Sequence, residues 1–127
     1  MFFMLAELDD QTPAAPCVAR AERLRRDGNP DVDVKVYAGA HHAWERLGDR
    51  PYFDPAAQNF ARCRIFVEDD GAMVAAESGE RLPRGRDALA WAERTCMTLG
   101  THCCGGTPAL KRQATDDLIA FLKRHGF

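Results

Sequence analysis

At 127 residues, the chain is long enough to bury one modest core and too short for several. Its formal net charge of −2, with 46% hydrophobic and 28% charged residues, leaves no basic excess to neutralise nucleic-acid phosphates. No apolar run approaches the ~20 residues of a membrane span, so neither nucleic acid nor a membrane is an expected partner.

The opening residues, Met1-Phe2-Phe3-Met4-Leu5, lack the basic n-region and the long apolar stretch of a signal peptide. Phe2 to Leu8 is apolar on both faces until a carboxylate at its end, which predicts a buried strand. A central strand seldom opens a chain, so a further segment is expected upstream. Thr12 is a good N-cap and Pro13 a good first helical residue, predicting a helix over 13–27. Its inward face carries Cys17, Val18, Ala21 and Leu24. Gly28 ends it, and Asn29-Pro30 prevents its continuation. Val32 to Tyr37 alternates apolar and charged residues and predicts a second strand, broken by Gly39. The result is a β-α-β unit, whose two strands run parallel with a right-handed crossover.

That topology carries two groups to one sheet edge. Asp9 follows the first strand, and the pair His41-His42 follows the second. In open α/β sheets, ligands bind beyond the C-terminal ends of the strands. A carboxylate on one imidazole nitrogen fixes the tautomer and stabilises the imidazolium, which leaves the other nitrogen as a general base. Asp9 and His42 are therefore the candidate catalytic pair. The competing reading is a helix-start anion and a solvated loop histidine.

Farther along, Asp54 and Pro55 predict a short helix over 53–61. Arg62–Glu68 and Ala72–Ala76 predict two strands of a hairpin around Asp69-Asp70-Gly71. A helix is expected over 87–99, with Leu89, Ala92, Cys96 and Leu99 inward and Gly100 as its stop. Trp91 is read as a packing residue. Thr107 and Pro108 start the last helix, with an apolar stripe of Leu110, Ala114, Leu118, Phe121 and Leu122. Lys123, Arg124 and His125 suit the negative end of its dipole. This helix is expected on a sheet face beside the strand that ends at Tyr37.

The five cysteines are Cys17, Cys63, Cys96, Cys103 and Cys104, an odd number that defines no disulfide framework. Cys63 opens the hairpin and Cys96 lies on the following helix, so a bridge between them is one expectation and two buried thiols the other. The compartment stays undecided: cytoplasmic is the expectation, periplasmic if Cys63 and Cys96 pair. His102, Cys103 and Cys104 lack a second ligand pair at zinc-site spacing, and no cofactor or metal is expected.

Two stretches resemble a known family. Glu7-Leu8-Asp9-Asp10-Gln11-Thr12-Pro13 after a strand, then Gly39-Ala40-His41-His42-Ala43-Trp44 after the next, look like the C-terminal part of a dienelactone hydrolase of the α/β-hydrolase fold. The resemblance implies that Asp9, four residues before Pro13, is the triad acid. It implies that His42, two residues before an aromatic, is the base, with His41 a neighbour. The acid-before-base order fits that fold. The family's nucleophile, a Cys or Ser on a strand–turn–helix elbow, precedes the acid, and only eight residues do so here.

Cys103-Cys104-Gly105-Gly106 matches part of that elbow. Thr101 stands where its first glycine belongs, and a helix is expected before it where the elbow needs a strand. Gly105-Gly106 is therefore read as a turn between helices. The expected architecture is α/β: a partial α/β hydrolase in one domain over 1–127, with 54–100 inserted. The implied function is ester or lactone hydrolysis, with the nucleophile missing and the chain inactive alone. Alternatives are a non-catalytic interaction module, a separately encoded half of a hydrolase, or a thiol- or metal-binding protein. A small-molecule ester or lactone, an N-terminal hydrolase half and a second copy of the chain are the corresponding partners.

Overall fold

The computed structural model describes residues 1–46 and 50–127. Among the described residues it contains small two-stranded sheets, the one that joins Phe2–Ala6 to Asp33–Tyr37 parallel, with three helices, and it divides into two compact units. The first comprises Met1–Asp54 and His102–Phe127, and the second Pro55–Thr101.

The first unit is built on β1 (Phe2–Ala6), α1 (Ala14–Arg26) and β2 (Asp33–Tyr37). β1 and β2 pair in parallel, with Phe2 opposite Asp33 and Ala6 opposite Tyr37. Beyond the last pair the two chains stay laced. The Glu7 amide donates to the Tyr37 carbonyl at 3.1 Å, the Leu8 amide to the Ala40 carbonyl at 2.8 Å, and the Gly39 amide to the Glu7 carboxylate at 2.9 Å. Gly39 sits at φ 72°, a left-handed conformation that glycine adopts without penalty.

β1 is half-buried rather than fully buried, with only Ala6 closed off from solvent. Pro13, not Thr12, is the N-cap of α1, and it supplies no side-chain cap. The Thr12 hydroxyl is occupied elsewhere, on Asp9. Ala21 is the buried residue of α1, with Cys17, Val18 and Leu24 half-buried on the same face.

The last helix, α3 (Pro108–Arg124), starts as its sequence predicts. Thr107 is the N-cap and its hydroxyl accepts the Leu110 amide at 3.2 Å. α3 covers the β1–β2 pair. Ala114 and Leu110 join Ala6, Tyr37, Ala40 and Trp44 in the core, and the Phe121 ring stacks on Phe2 at 5.2 Å. Tyr37, 1% exposed, donates its hydroxyl to Asp117 at 3.0 Å, and Lys35 pairs with the same carboxylate at 2.6 Å. Burial, then the Asp117 carboxylate, pushes the Tyr37 phenol well above its ordinary value of 10.0. Arg124 pairs with Asp33 near the opposite end of β2.

Two expectations fail between Tyr52 and Cys103. The stretch expected as a helix over 53–61 is instead β3 (Tyr52–Asn59). Pro55 biases Asp54 away from the helical region. The segment also finds a partner, because β3 pairs with β6 (Thr98–Cys103). The Asn59 side chain, buried, donates to the Gly100 carbonyl at 3.0 Å. The second failure is at α2 (Arg86–Thr95), which stops four residues short of the expected Leu99. Cys96 is the C-cap, its amide still bonded to the Ala92 carbonyl, and two residues later the chain enters β6 at Thr98, with Gly100 inside the strand. A strand therefore precedes Cys103-Cys104, and the turn at Gly105-Gly106 joins a strand to a helix, not two helices.

In the second unit, β4 (Ile65–Val67) and β5 (Met73–Ala75) form the expected antiparallel hairpin. Its turn spans Asp69-Asp70-Gly71, with the Gly71 amide bonded to the Glu68 carbonyl and Gly71 at φ 79°. Cys63 and Cys96 are disulfide-bonded, with Cα atoms 5.0 Å apart. Trp91 is half-buried and lines a cleft of about 540 Å³ with Arg62, Arg64 and Glu77.

Candidate functional site

The lacing beyond β1 and β2 brings Asp9 and His42 together. His42 Nδ1 lies 3.1 Å from Asp9 Oδ2 and 3.3 Å from Oδ1. The Asp9 side chain is 8% exposed and that of His42 30%. Asp9 is held from below by its own loop. Oδ1 accepts the amides of Gln11 at 2.9 Å and Thr12 at 2.6 Å, and Oδ2 accepts the Thr12 hydroxyl at 2.7 Å. Burial pushes the Asp9 carboxyl up, but the bonds from Thr12, Gln11 and His42 together outweigh it, and its pKa lies below the ordinary 3.8. Asp9 is therefore ionised at neutral pH and can only accept. Nδ1 must carry the proton of the Asp9–His42 bond, and Nε2 is left as the basic nitrogen. The Thr12 hydroxyl, its proton given to Asp9, stands 3.3 Å from Nδ1 as a second acceptor. Among the described residues, no hydrogen bond engages Nε2.

His41 does not reach Asp9. Its Nδ1 is buried with no partner among the described residues, and its ring stands 5.7 Å from that of His102. His42 and Asp9 line a cleft of about 270 Å³ with Leu5, Cys17 and Trp44. Cys17 is the free cysteine among the described residues. Its place in this cleft is not evident from the sequence, where it marks only the inward face of α1.

The third contributor to the site comes from the end of β6. His42 and Cys103 form an isolated parallel bridge. The His42 amide donates to the His102 carbonyl at 3.3 Å, and the Cys104 amide to the His42 carbonyl at 2.9 Å. His102 makes a second carboxylate–imidazole pair. Its Nδ1 is 2.9 Å from Asp10 Oδ2, and its amide donates to the same carboxylate at 3.1 Å. The Phe53 ring lies 5.0 Å from it. Cys103 and Cys104 are bonded to one another, so neither thiol is a nucleophile in this state. One of the sequence grounds for setting Cys103 aside, a helix before it, does not hold, since Cys103 ends β6, while Thr101 still stands where the elbow needs a glycine. Among the described residues, no group of three His, Cys, Asp or Glu side chains converges as a metal site.

Two non-glycine residues take a left-handed conformation among the described residues: Ala43 at φ 50° and Cys104 at φ 72°. Ala43 follows His42 in the chain, and Cys104 is hydrogen-bonded to it. Such conformations cost about 1–2 kcal/mol for an L-residue and persist where the surroundings impose them. No family model, curated protein or solved structure matches the chain.

Proposed function

We propose that this chain carries the acid and base of an ester- or lactone-hydrolysing triad in a partial α/β-hydrolase fold of the dienelactone hydrolase type. The observation that carries the reading is the Asp9–His42 bond of 3.1 Å beside a cleft, with Nε2 unengaged among the described residues. Asp9 holds the Nδ1 proton and stabilises the imidazolium. Nε2 takes the proton of a hydroxyl, thiol or water as that group attacks the ester carbonyl. It then returns the proton to the leaving alkoxide. The nucleophile is supplied by an N-terminal hydrolase half, since no thiol or hydroxyl is bonded to Nε2 among the described residues.

The test offers an activated ester to the chain alone and to the chain mixed with the N-terminal half of a dienelactone hydrolase. Alone, the chain should be no faster than free imidazole, because the nucleophile and oxyanion donors carry much of the rate. The mixture should turn over saturably and lose that turnover with His42→Ala. Turnover that survives His42→Ala removes the reading.

A second reading, an interaction module that pairs with its own copy, is favoured by β4. Ile65, Phe66 and Val67 are all exposed on this short strand. Size-exclusion with light scattering decides it, and a clean monomer at ~100 μM counts against association.

A further inference from the structure

We propose that Cys103–Cys104 is a reducible pair whose redox state sets the position of His42, placing the Asp9–His42 site under thiol–disulfide control. The functional half of this inference rests on the hydrolase reading above, and the redox half does not.

The two disulfides do different physical work. A disulfide stabilises a fold mainly by closing a loop in the unfolded chain, and the effect grows with loop length. Cys63–Cys96 spans 33 positions and staples the second unit. Cys103–Cys104 joins neighbours in sequence and closes no loop. Stability therefore does not account for it. Its location does suggest a role, because residues 102 and 104 hold both sides of the His42 backbone through His42 N–H to His102 O and Cys104 N–H to His42 O.

Opening the bond frees a strained backbone. The ring through the 103–104 peptide includes Cys104, which stands at φ 72°. On the C-terminal side, the backbone is closely packed. A Cβ built on Gly105 would lie 2.1 Å from the Arg50 carbonyl oxygen, and one on Gly106 would lie 2.6 Å from that of Trp44. The backbone is already against its neighbours there. The other side is bonded to His42, so a backbone change at Cys104 reaches His42 directly.

Access favours one sulfur. Cys103 is 4% exposed, whereas Cys104 is half-buried. A thiolate of a dithiol reductant attacks Cys104 Sγ. The Cys103–Cys104 bond breaks, and Cys103 leaves as a thiolate that takes a proton. The second thiolate of the reductant then attacks its own sulfur in the mixed disulfide and expels Cys104, which is protonated in turn. Two electrons and two protons pass to the pair, and the reductant ends as a disulfide.

The experiment uses the full chain under a graded series of dithiothreitol concentrations. Thiols are alkylated and mapped by mass spectrometry, and the His42 ring is followed by 1H–15N NMR. Cys103 and Cys104 should be alkylated at lower reductant than Cys63 and Cys96. Across that same step the His42 ring signals should shift more than those of His125 at the far end of α3. Cys104→Ser should reproduce the reduced His42 spectrum without reductant, and Cys63→Ser should leave it unchanged. Identical His42 spectra in the two states overturn the inference, as does alkylation of Cys63 and Cys96 first. If His42 responds but no ester is turned over in the mixed assay, the hydrolase reading fails and the redox coupling stands. If turnover occurs and is equal in both states, the control fails and the hydrolase reading stands.

Discussion

Replacing Asp9 by Asn tests the site at a single atom. Asp9 Oδ1 accepts two backbone amides, and Asn keeps an acceptor there, so the loop from Asp9 to Thr12 is preserved. The change falls on Oδ2, which becomes an NH₂ facing His42 Nδ1. Two donors cannot face each other across 3.1 Å. The neutral ring must then move its proton to Nε2 and present a bare Nδ1. In the wild type, a hydrogen bond to a charged acceptor is worth about 1.5–3 kcal/mol. That preference puts roughly nine-tenths or more of the neutral ring in the Nδ1–H tautomer. In Asp9→Asn the preference inverts, and the nitrogen that serves as base is the one now protonated. Long-range 1H–15N correlation of the His42 ring, at a pH where it is neutral, reads the tautomer directly and needs no substrate. With a nucleophile supplied, turnover should fall by about 10⁴-fold, the loss that follows when a triad base takes the wrong tautomer. An unchanged His42 tautomer in Asp9→Asn would refute the argument.

Tyr37→Phe removes the hydrogen bond that the buried phenol donates to the part-exposed Asp117 carboxylate, and should cost about 1.5–3 kcal/mol in chemical denaturation. Lys35 still neutralises Asp117, so a cost well above that range would point to a packing role instead. Gly106→Ala should abolish or strongly weaken folding, seen as lost near-ultraviolet circular dichroism, because its Cβ meets backbone rather than a movable side chain. In acid, the folded Asp9 carboxyl has a pKa below the ordinary 3.8. Its contribution is thus full above that value and is lost as pH falls through the lower, folded one. Thermal melts should show a steeper loss below pH 4 in the wild type than in Asp9→Asn, and parallel curves would exclude Asp9 as a source.

Asp9 and His42 are legible because they lie in consecutive loops of a β-α-β unit, where topology alone fixes a common edge. The caps of α3 are legible for a similar local reason, since Thr107-Pro108 is followed by an apolar stripe that a helix can bury. Asp54-Pro55 carries the same local signal and does not start a helix. The residue buried there is Asn59, whose side chain is committed to Gly100 across the β3–β6 pair. No window of local sequence contains that partner. The end of α2 is misread for the same reason, because the apolar period continues to Leu99 while the helix has already ended at Thr95 and the chain is a strand from Thr98. The Asp10–His102 pair joins groups 92 positions apart, and the only trace it leaves in the sequence is the tandem Asp9-Asp10.

The interruption of the first unit has a consequence for how the chain is made. β1, α1 and β2 leave the ribosome well before α3, the helix that covers them. The Tyr37–Asp117 contact spans 80 positions, all of which must be translated before it can form. At about 5–20 residues per second, that is a delay on the order of 10 s. Throughout it, Tyr37, Trp44 and the apolar face of β1 lack the cover of α3, whereas Pro55–Thr101 can close on itself as soon as residue 101 is made, before α3 exists. The order of synthesis thus leaves the nascent β1–β2 sheet in need of a chaperone until α3 arrives, and makes slow translation between 55 and 107 costly for yield.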